Sequence, residues 1–306
     1  MPLDPDVVRF LDELSQAGPG LASPLSVATA RSSIQPDVSP EALAVSTEDR
    51  TASRGDAPTV PVRVYRPTNV DGAVPTVVYY HGGGWVVGSI ETHDRLCREM
   101  CAASGAVVVS VDYRLAPEHP FPAAFEDAFT ATSWAAEEIA TLGGNPERLL
   151  VAGDSAGGNL AAAVCLQARD QRGPRIALQL LIYPIVDHDF DRPSYVDRAD
   201  GYFLTRRTME WFWDHYVPHR DDRDNPLASP IKAESLEGLP PALVVTAEYD
   251  PLRDEGFEYA ERLRAAGVSV DYTDYDGMIH GFLRRFDQFE RSRVLLEELA
   301  QAIKSA

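Results

Sequence analysis

Arg148-Leu149-Leu150-Val151-Ala152-Gly153-Asp154-Ser155-Ala156-Gly157-Gly158-Asn159-Leu160-Ala161-Ala162-Ala163-Val164 is the stretch on which the fold turns. Leu149 to Ala152 is a short apolar run of the kind that forms a fully buried strand. The Ala/Leu-rich run after Gly157 reads as a helix continuing to about Gln171. Between them, Gly153-Asp-Ser-Ala-Gly157 matches G-x-S-x-G, a pattern common by chance but meaningful between a strand and a helix. In such an elbow the serine is held in a strained conformation above the sheet. The flanking glycines then leave room where the adjoining strand and helix would meet a side chain.

Outward from this stretch, buried strands alternate with helices. Strands are expected at 76–80, 106–111, 178–183, 242–247 and 268–275, and helices at 91–104, 121–142, 254–266 and 285–303. Val/Leu/Ile strands separated by helices imply an α/β fold with a mostly parallel sheet covered on both faces. Upstream, 42–49 and 59–66 alternate like a strand pair joined by a turn at 51–58. Val7, Phe10, Leu11 and Leu14 give an amphipathic helix over 4–16, followed by a loop or broken helix over 18–40. Residues 185–240 separate two core strands by far more than a crossover needs. The helix there carries Met209, Trp211, Phe212, Trp213 and Tyr216. It is expected above the carboxyl ends of the strands, where ligands bind in open α/β sheets. The division expected is 1–45 for the N-terminal part of a cap, 46–187 and 226–306 for the catalytic domain, and 188–225 for the cap insertion.

A serine hydroxyl becomes nucleophilic only with a base in contact and an acid behind the base. Of seven histidines, His280 stands in Asp276-Gly-Met-Ile-His-Gly-Phe282, just past the last expected strand and flanked by Gly277 and Gly281. Asp250 follows the strand Ala242–Ala247, with Pro251 ending the extended segment. The rival carboxylates Glu248, Asp254 and Asp276 read as a neighbour, a helix-start residue and a turn residue. Ser155…Asp250…His280 is the chain order of α/β-hydrolases. For the developing oxyanion, the strand Thr76–Tyr80 runs into His81-Gly-Gly-Gly-Trp85. Such a loop can also cradle a phosphate, but no Lys follows it and the next helix begins with Glu91, so the oxyanion reading is favoured. The donors assigned are the N–H groups of Gly83, Gly84 and Ala156.

His81-Gly-Gly-Gly84, Asp112-Tyr-Arg-Leu-Ala-Pro-Glu-His-Pro-Phe-Pro122, Gly153-Asp-Ser-Ala-Gly157, Asp250-Pro-Leu and His280-Gly-Phe occur together in one chain. This set resembles the hormone-sensitive-lipase family of bacterial carboxylesterases, in its G-D-S-A-G branch, over about residues 60–290. The resemblance implies the α/β-hydrolase fold with about eight strands. It implies Ser155 as nucleophile, His280 as base, Asp250 as its partner, the same three oxyanion donors, and a two-part cap. The 112–122 motif offers no evident reacting group and reads as the floor of the site, with Tyr113 and His81 hydrogen-bonding.

The expected activity is hydrolysis of short to medium acyl esters through an acyl-enzyme, with no cofactor and no metal. Phe10, Trp85, Tyr183, Phe203, Trp211 and Phe212 are the candidate substrate contacts, each also explicable as cap core. An amidase or peptidase would use the same constellation, though no large extra domain of the oligopeptidase kind accompanies it. A non-catalytic binding module usually lacks the serine or the histidine, and both are present. The 306 residues carry a net charge of −19, which disfavours nucleic acid and anionic membranes as partners. Cys97, Cys101 and Cys165 are too few for a disulfide framework and read as buried hydrophobes. The N-terminal residues show no signal-peptide pattern and no run is long enough to span a bilayer. A cytoplasmic monomer or homodimer is expected.

Overall fold

In the computed structural model, residues 2–17, 26–37, 43–55 and 57–306 are described. The expected loop over 18–40 and the turn over 51–58 therefore lie partly outside the described residues.

The alternation of strand and helix signals becomes one eight-stranded sheet. Its strands are β1 (Val45–Ala52), β2 (Val60–Pro67), β3 (Val74–Tyr80), β4 (Val107–Val111), β5 (Gly144–Asp154), β6 (Leu178–Ile182), β7 (Ala242–Tyr249) and β8 (Val270–Ile279). Their spatial order is β1-β2-β4-β3-β5-β6-β7-β8. The β1–β2 and β2–β4 pairings are antiparallel, and every pairing from β4 to β8 is parallel. The six parallel strands deliver their carboxyl ends to one edge.

Nine helices cover the sheet and its upper edge: α1 (Pro5–Ala17), α2 (Val27–Ser33), α3 (Asp94–Ser104), α4 (Ala123–Glu137), α5 (Ala156–Asp170), α6 (Pro193–Asp197), α7 (Arg206–Tyr216), α8 (Arg253–Ala265) and α9 (Glu290–Ser305), counted among the described residues. Because successive strand side chains point to opposite faces, β5 feeds two separate cores. Leu150 and Ala152 join Leu96, Met100, Leu295 and Leu299 of α3 and α9 on one face. Leu149 and Val151 join α4, α5 and α8 on the other. Both faces are thus dry, which is why these strands read as continuous apolar runs rather than alternating ones.

Among the boundaries that differ from the sequence reading, three do so for a tertiary reason. The helix expected over 121–142 stops at Glu137, because the chain turns through Gly143 at φ +84° and pairs Gly144 with Val74. The helix expected from Glu91 begins with a 3-10 turn over Glu91–His93 before α3. The strand expected to end at Tyr275 continues to Ile279, since a register shift lets Tyr249 of β7 pair with Ile279 of β8. That last shift sets up the chemistry, because the two residues that follow this pair are Asp250 and His280.

The insertion lies over the strand ends and is tied down at its roots. Asn159 Nδ2 on α5 donates to Ile185 O at 2.9 Å and to Ala228 O at 2.8 Å. Glu255 on α8 accepts the Val186 N–H at 2.8 Å, and burial pushes its carboxyl well above the ordinary range. α1 packs Val7 and Phe10 into the α3–α9 core and reaches the insertion through Phe10 against Phe203, with ring centroids 5.8 Å apart. Cys97, Cys101 and Cys165 are all buried and free. Among the described residues no helix is long and apolar enough to cross a membrane.

Candidate active site

Ser155 stands between β5 and α5 at φ 58°, ψ −118°, a conformation that costs a non-glycine residue about 1–3 kcal/mol. It is held there from both sides. Its N–H donates to Ile182 O at 2.9 Å, and its carbonyl accepts from Asn159 N–H at 3.1 Å and Ile185 N–H at 3.2 Å. The glycines make the turn possible. A Cβ at Gly153 would sit 2.3 Å from the Gly157 carbonyl, and one at Gly157 would sit 1.9 Å from Tyr80 O.

The parallel edge brings three distant groups together. His280 Nε2 lies 3.0 Å from Ser155 Oγ, and His280 Nδ1 lies 2.6 Å from Asp250 Oδ2. The other carboxylate oxygen of Asp250 accepts the Leu252 N–H at 2.9 Å, which fixes the carboxyl plane. Asp250 is fully buried, whereas Ser155 and His280 each keep 7% of their surface exposed, so only the reacting end opens to the cavity. With Nδ1–H donating to the carboxylate, Nε2 is left as the acceptor facing the serine hydroxyl. Among the rival carboxylates, Glu248 accepts the Gly277 N–H at 2.8 Å, and Asp254 accepts the Ser194 N–H at 2.8 Å.

The glycine loop lies beside the elbow. Gly83 and Gly84 have φ of +122° and +57°, and both line the cavity with Ser155. A Cβ would meet Val87 O at 2.2 Å in the first case and the Phe212 ring at 2.2 Å in the second. Ala156 is the first residue of α5, where a backbone N–H has no partner within the helix and the dipole favours negative charge.

Asp154, which the sequence reading left without a role, holds this loop against the elbow. Its Oδ1 accepts from Gly82 N–H at 2.8 Å and from the Tyr79 hydroxyl at 2.6 Å, with His93 Nε2 at 3.4 Å. Burial opposes its ionisation, but His93, Arg284 and the Tyr79 hydroxyl outweigh that and hold the carboxyl well below its ordinary range. The signal was available in the alternation along β5. Asp154 precedes Ser155, so its side chain points to the face opposite Val151 and Gly153.

The 112–122 segment builds the layer beneath. Tyr113 Oη donates to His81 O at 2.6 Å, and its ring stacks on the His81 imidazole at 4.2 Å. Burial, with His93 nearby, pushes His81 down to about 3 and so keeps it neutral. Arg114 clasps Asp127 of α4 through its Nε and Nη2, at 2.8–3.0 Å. Arg31 of α2 links the N-terminal segment to this layer, donating to Glu118, Ala116 O and Val86 O.

A cavity of about 350 Å³ opens onto Ser155. Three of the six candidate substrate contacts line it: Phe10, Phe203 and Phe212. The other three do not, and the sequence reading is corrected for them. Trp85 follows Gly84 at φ +59° and turns away from the cavity. It is fully buried, stacked on Tyr216 at 4.0 Å and edge-on to Trp213 at 5.2 Å. Tyr183 is buried with its ring edge-on to the His280 imidazole at 4.8 Å, away from the cavity wall. Trp211 projects from the side of α7, against Phe212 at 5.2 Å and His215 at 4.4 Å. The sequence reading missed Leu14, Ile34 and Leu204, and also Arg284 and Arg285. Leu14 was legible only as one apolar position of the α1 stripe.

The chain is similar to known proteins over most of its length. Residues 77–284 match a family model described as the alpha/beta hydrolase fold. The carboxylesterase NlhH of Mycobacterium tuberculosis is 47% identical over 77% of this chain and 75% of its own length. The ethyl acetate hydrolase of Pseudomonas putida is 40% identical over 84% of this chain and 81% of its own. Among solved structures, a thermostable esterase from Pseudomonas putida superposes with TM-score 0.92 at 40% identity, covering 99% of this chain and 97% of that one. The hyperthermophilic esterase of Pyrobaculum calidifontis superposes with TM-score 0.90 at 43% identity, covering 100% and 99%. With the elbow, the glycine loop and the covered parallel sheet in one chain, this protein belongs to the α/β-hydrolase fold family, among its hormone-sensitive-lipase-like carboxylesterases.

Proposed function

We propose that this serine carboxylesterase cleaves short to medium acyl esters through Ser155, His280 and Asp250 by way of an acyl-enzyme. The observation that carries the assignment is the unbroken relay Ser155 Oγ, His280 Nε2 at 3.0 Å, and His280 Nδ1 to Asp250 Oδ2 at 2.6 Å. The ester enters the cavity with its carbonyl oxygen toward Gly83, Gly84 and Ala156. Ser155 Oγ attacks the carbonyl carbon while its proton passes to His280 Nε2. Asp250 stabilises the imidazolium so formed without itself taking the proton. Negative charge gathers on the carbonyl oxygen, which accepts from the backbone N–H groups of Gly83, Gly84 and Ala156. His280 then protonates the departing alkoxide, and the C–O bond to the alcohol breaks. A water molecule repeats the sequence on the acyl-enzyme and returns Ser155 to its starting state.

A cavity of about 350 Å³ with aromatic walls supports a small acyl or alcohol group rather than a long chain folded inside. The ester names of the relatives favour ester over amide substrates for the same constellation. The direct test is Ser155→Ala. Nitrophenyl acetate hydrolysis is expected to fall by about 10⁶-fold in kcat, while the far-ultraviolet circular dichroism stays unchanged. A fluorophosphonate probe is expected to label the parent chain at Ser155 and leave the variant unlabelled. Retained turnover in the variant would mean another nucleophile.

A further inference from the structure

Arg284 and Arg285 follow His280 by four and five positions and place two guanidinium groups in the wall of the Ser155 cavity. The rest of that wall is largely apolar, with Phe10, Phe203 and Phe212 prominent. Arg285 lies over the Phe10 ring at 4.0 Å and the Phe203 ring at 4.8 Å, and donates from Nη1 to Gln288 Oε1 at 3.1 Å. Arg284 donates from Nη2 to Thr92 O at 2.5 Å. A guanidinium carries five N–H donors, and the buried Nε–H of each arginine has no acceptor among the described residues.

Neither arginine has a carboxylate within ion-pair distance among those residues, although the charge of Arg284 acts on the buried Asp154 carboxylate in the wall of the same cavity. The other partly or fully covered arginines divide, and Arg148, Arg198 and Arg262 donate only to backbone oxygens. Arg63, Arg95, Arg114, Arg192 and Arg223 each hold at least one carboxylate. Burial, together with the charge of Arg284, pushes Arg285 down to about 10. Beyond the pair a second cavity of about 380 Å³ shares Gln35, Arg284 and Arg285 and reaches Asp37 and Arg95. Burial pushes the Asp37 carboxyl up, against the pull of Arg284 and Arg95, and Asp287 is a second carboxylate in this cavity. Two cations side by side in the wall of a largely apolar cavity repel each other, and an anion entering that cavity offsets the repulsion.

We propose that Arg284 and Arg285 form an anion subsite of the catalytic cavity, which selects esters bearing a carboxylate on the acyl or the alcohol part. The proposal rests on the ester-hydrolase reading of Ser155 and narrows its substrate class. The chain's net charge of −19 repels anions over most of its surface. Selection of an anionic ester therefore has to be local, and these two side chains supply the local field. Planar guanidinium groups suit a carboxylate because paired N–H donors meet both of its oxygens.

The test compares charged and neutral isosteres, each rate divided by its alkaline hydrolysis rate. On the acyl side, 4-nitrophenyl monoglutarate is set against 4-nitrophenyl 4-carbamoylbutanoate. On the alcohol side, 4-acetoxybenzoate is set against 4-acetoxybenzamide. On at least one side the anionic member is expected to lead by about tenfold or more in kcat/KM, and the side that shows it locates the carboxylate. That ratio is expected to fall by about tenfold in Arg284→Gln or Arg285→Gln, to persist in part in the Lys variants, and to shrink in 0.5 M NaCl, a concentration at which the Debye length drops to roughly 4 Å.

Because each variant is scored by its own ratio, a general loss of activity cancels. Should the Gln variants not fold, the parent ratios decide, together with inhibition by glutarate against glutaramide. No anionic preference on either side, or a preference untouched by both Gln changes, overturns the proposal. Absence of turnover for neutral and charged esters alike would instead overturn the esterase reading beneath it.

Discussion

The floor of the site and the roof above it are built by different physics. The floor is the carboxyl edge of the parallel sheet, where Ser155, Asp250 and His280 are each placed by the strand that precedes them or by a ladder pair. The ladder pair Tyr249–Ile279 fixes Asp250 beside His280, and the Ser155 N–H is bonded to the end of β6. Its contacts are short, buried and mostly to backbone. The roof is the insertion and α1, joined through ring contacts such as Phe10–Phe203, and α7 within it carries half-exposed ion pairs such as Arg206–Glu210 at 2.9 Å. Exposed pairs of that kind are worth roughly 0–1 kcal/mol. The difference teaches that reactivity is fixed by backbone geometry, while selectivity is left to side chains that can exchange without disturbing it.

Changes in the floor should therefore cost far more activity than changes in the roof, and five substitutions probe that divide. Asp250→Asn keeps the shape but removes the charge behind the imidazole, and kcat is expected to drop by about 10⁴ in steady-state assays of nitrophenyl acetate. A drop of only a few-fold would mean that another carboxylate orients His280.

Gly84→Ala forces a Cβ into the Phe212 ring and a side chain into φ +57°. The expected loss is about 10²–10³ in kcat, the scale of one oxyanion donor. Relief by a second change, Phe212→Ala, would show that crowding rather than φ dominates.

Asp154→Asn tests the bond between floor and glycine loop through stability. The folded carboxyl sits below its ordinary value of 3.8, so its contribution is present above that range and is lost as pH falls below it. The variant is expected to be about 1–3 kcal/mol less stable in urea at pH 7, with a shallower decline on the acid side. Equal acid sensitivity in both chains would remove this role.

The roof provides the smallest effects. Phe212→Ala should lengthen the preferred acyl chain in an acetyl-to-lauroyl series, while changing acetate turnover by roughly tenfold or less. Trp211→Ala, one ring further from the cavity, is expected to shift the same profile by no more than about twofold. If Trp211→Ala outweighed Phe212→Ala, the placement of the cavity wall would be wrong.

The floor was the legible part because local sequence rules govern it. A strand, a glycine turn and a helix in Leu149–Val164 required an elbow, and Asp250 and His280 each follow a buried strand. Trp85 shows where such reasoning ends. It adjoins the glycine loop in sequence, yet the positive φ that ends the loop turns its ring into the layer with Trp213 and Tyr216. Tyr183 is a similar case, since adjacency to a strand end says nothing about which side of the imidazole its ring will take.

By itself the sequence determined the covered parallel sheet, the elbow and the order of the three reacting groups, because periodicity and turn chemistry act within a few residues. Only the tertiary structure decided that Asp154 clamps the loop, which aromatic rings face the ester, and that Arg284 and Arg285 stand together in the cavity wall. Those outcomes depend on contacts between segments tens to hundreds of residues apart, where side-chain direction and burial are set by packing rather than by neighbours in the chain.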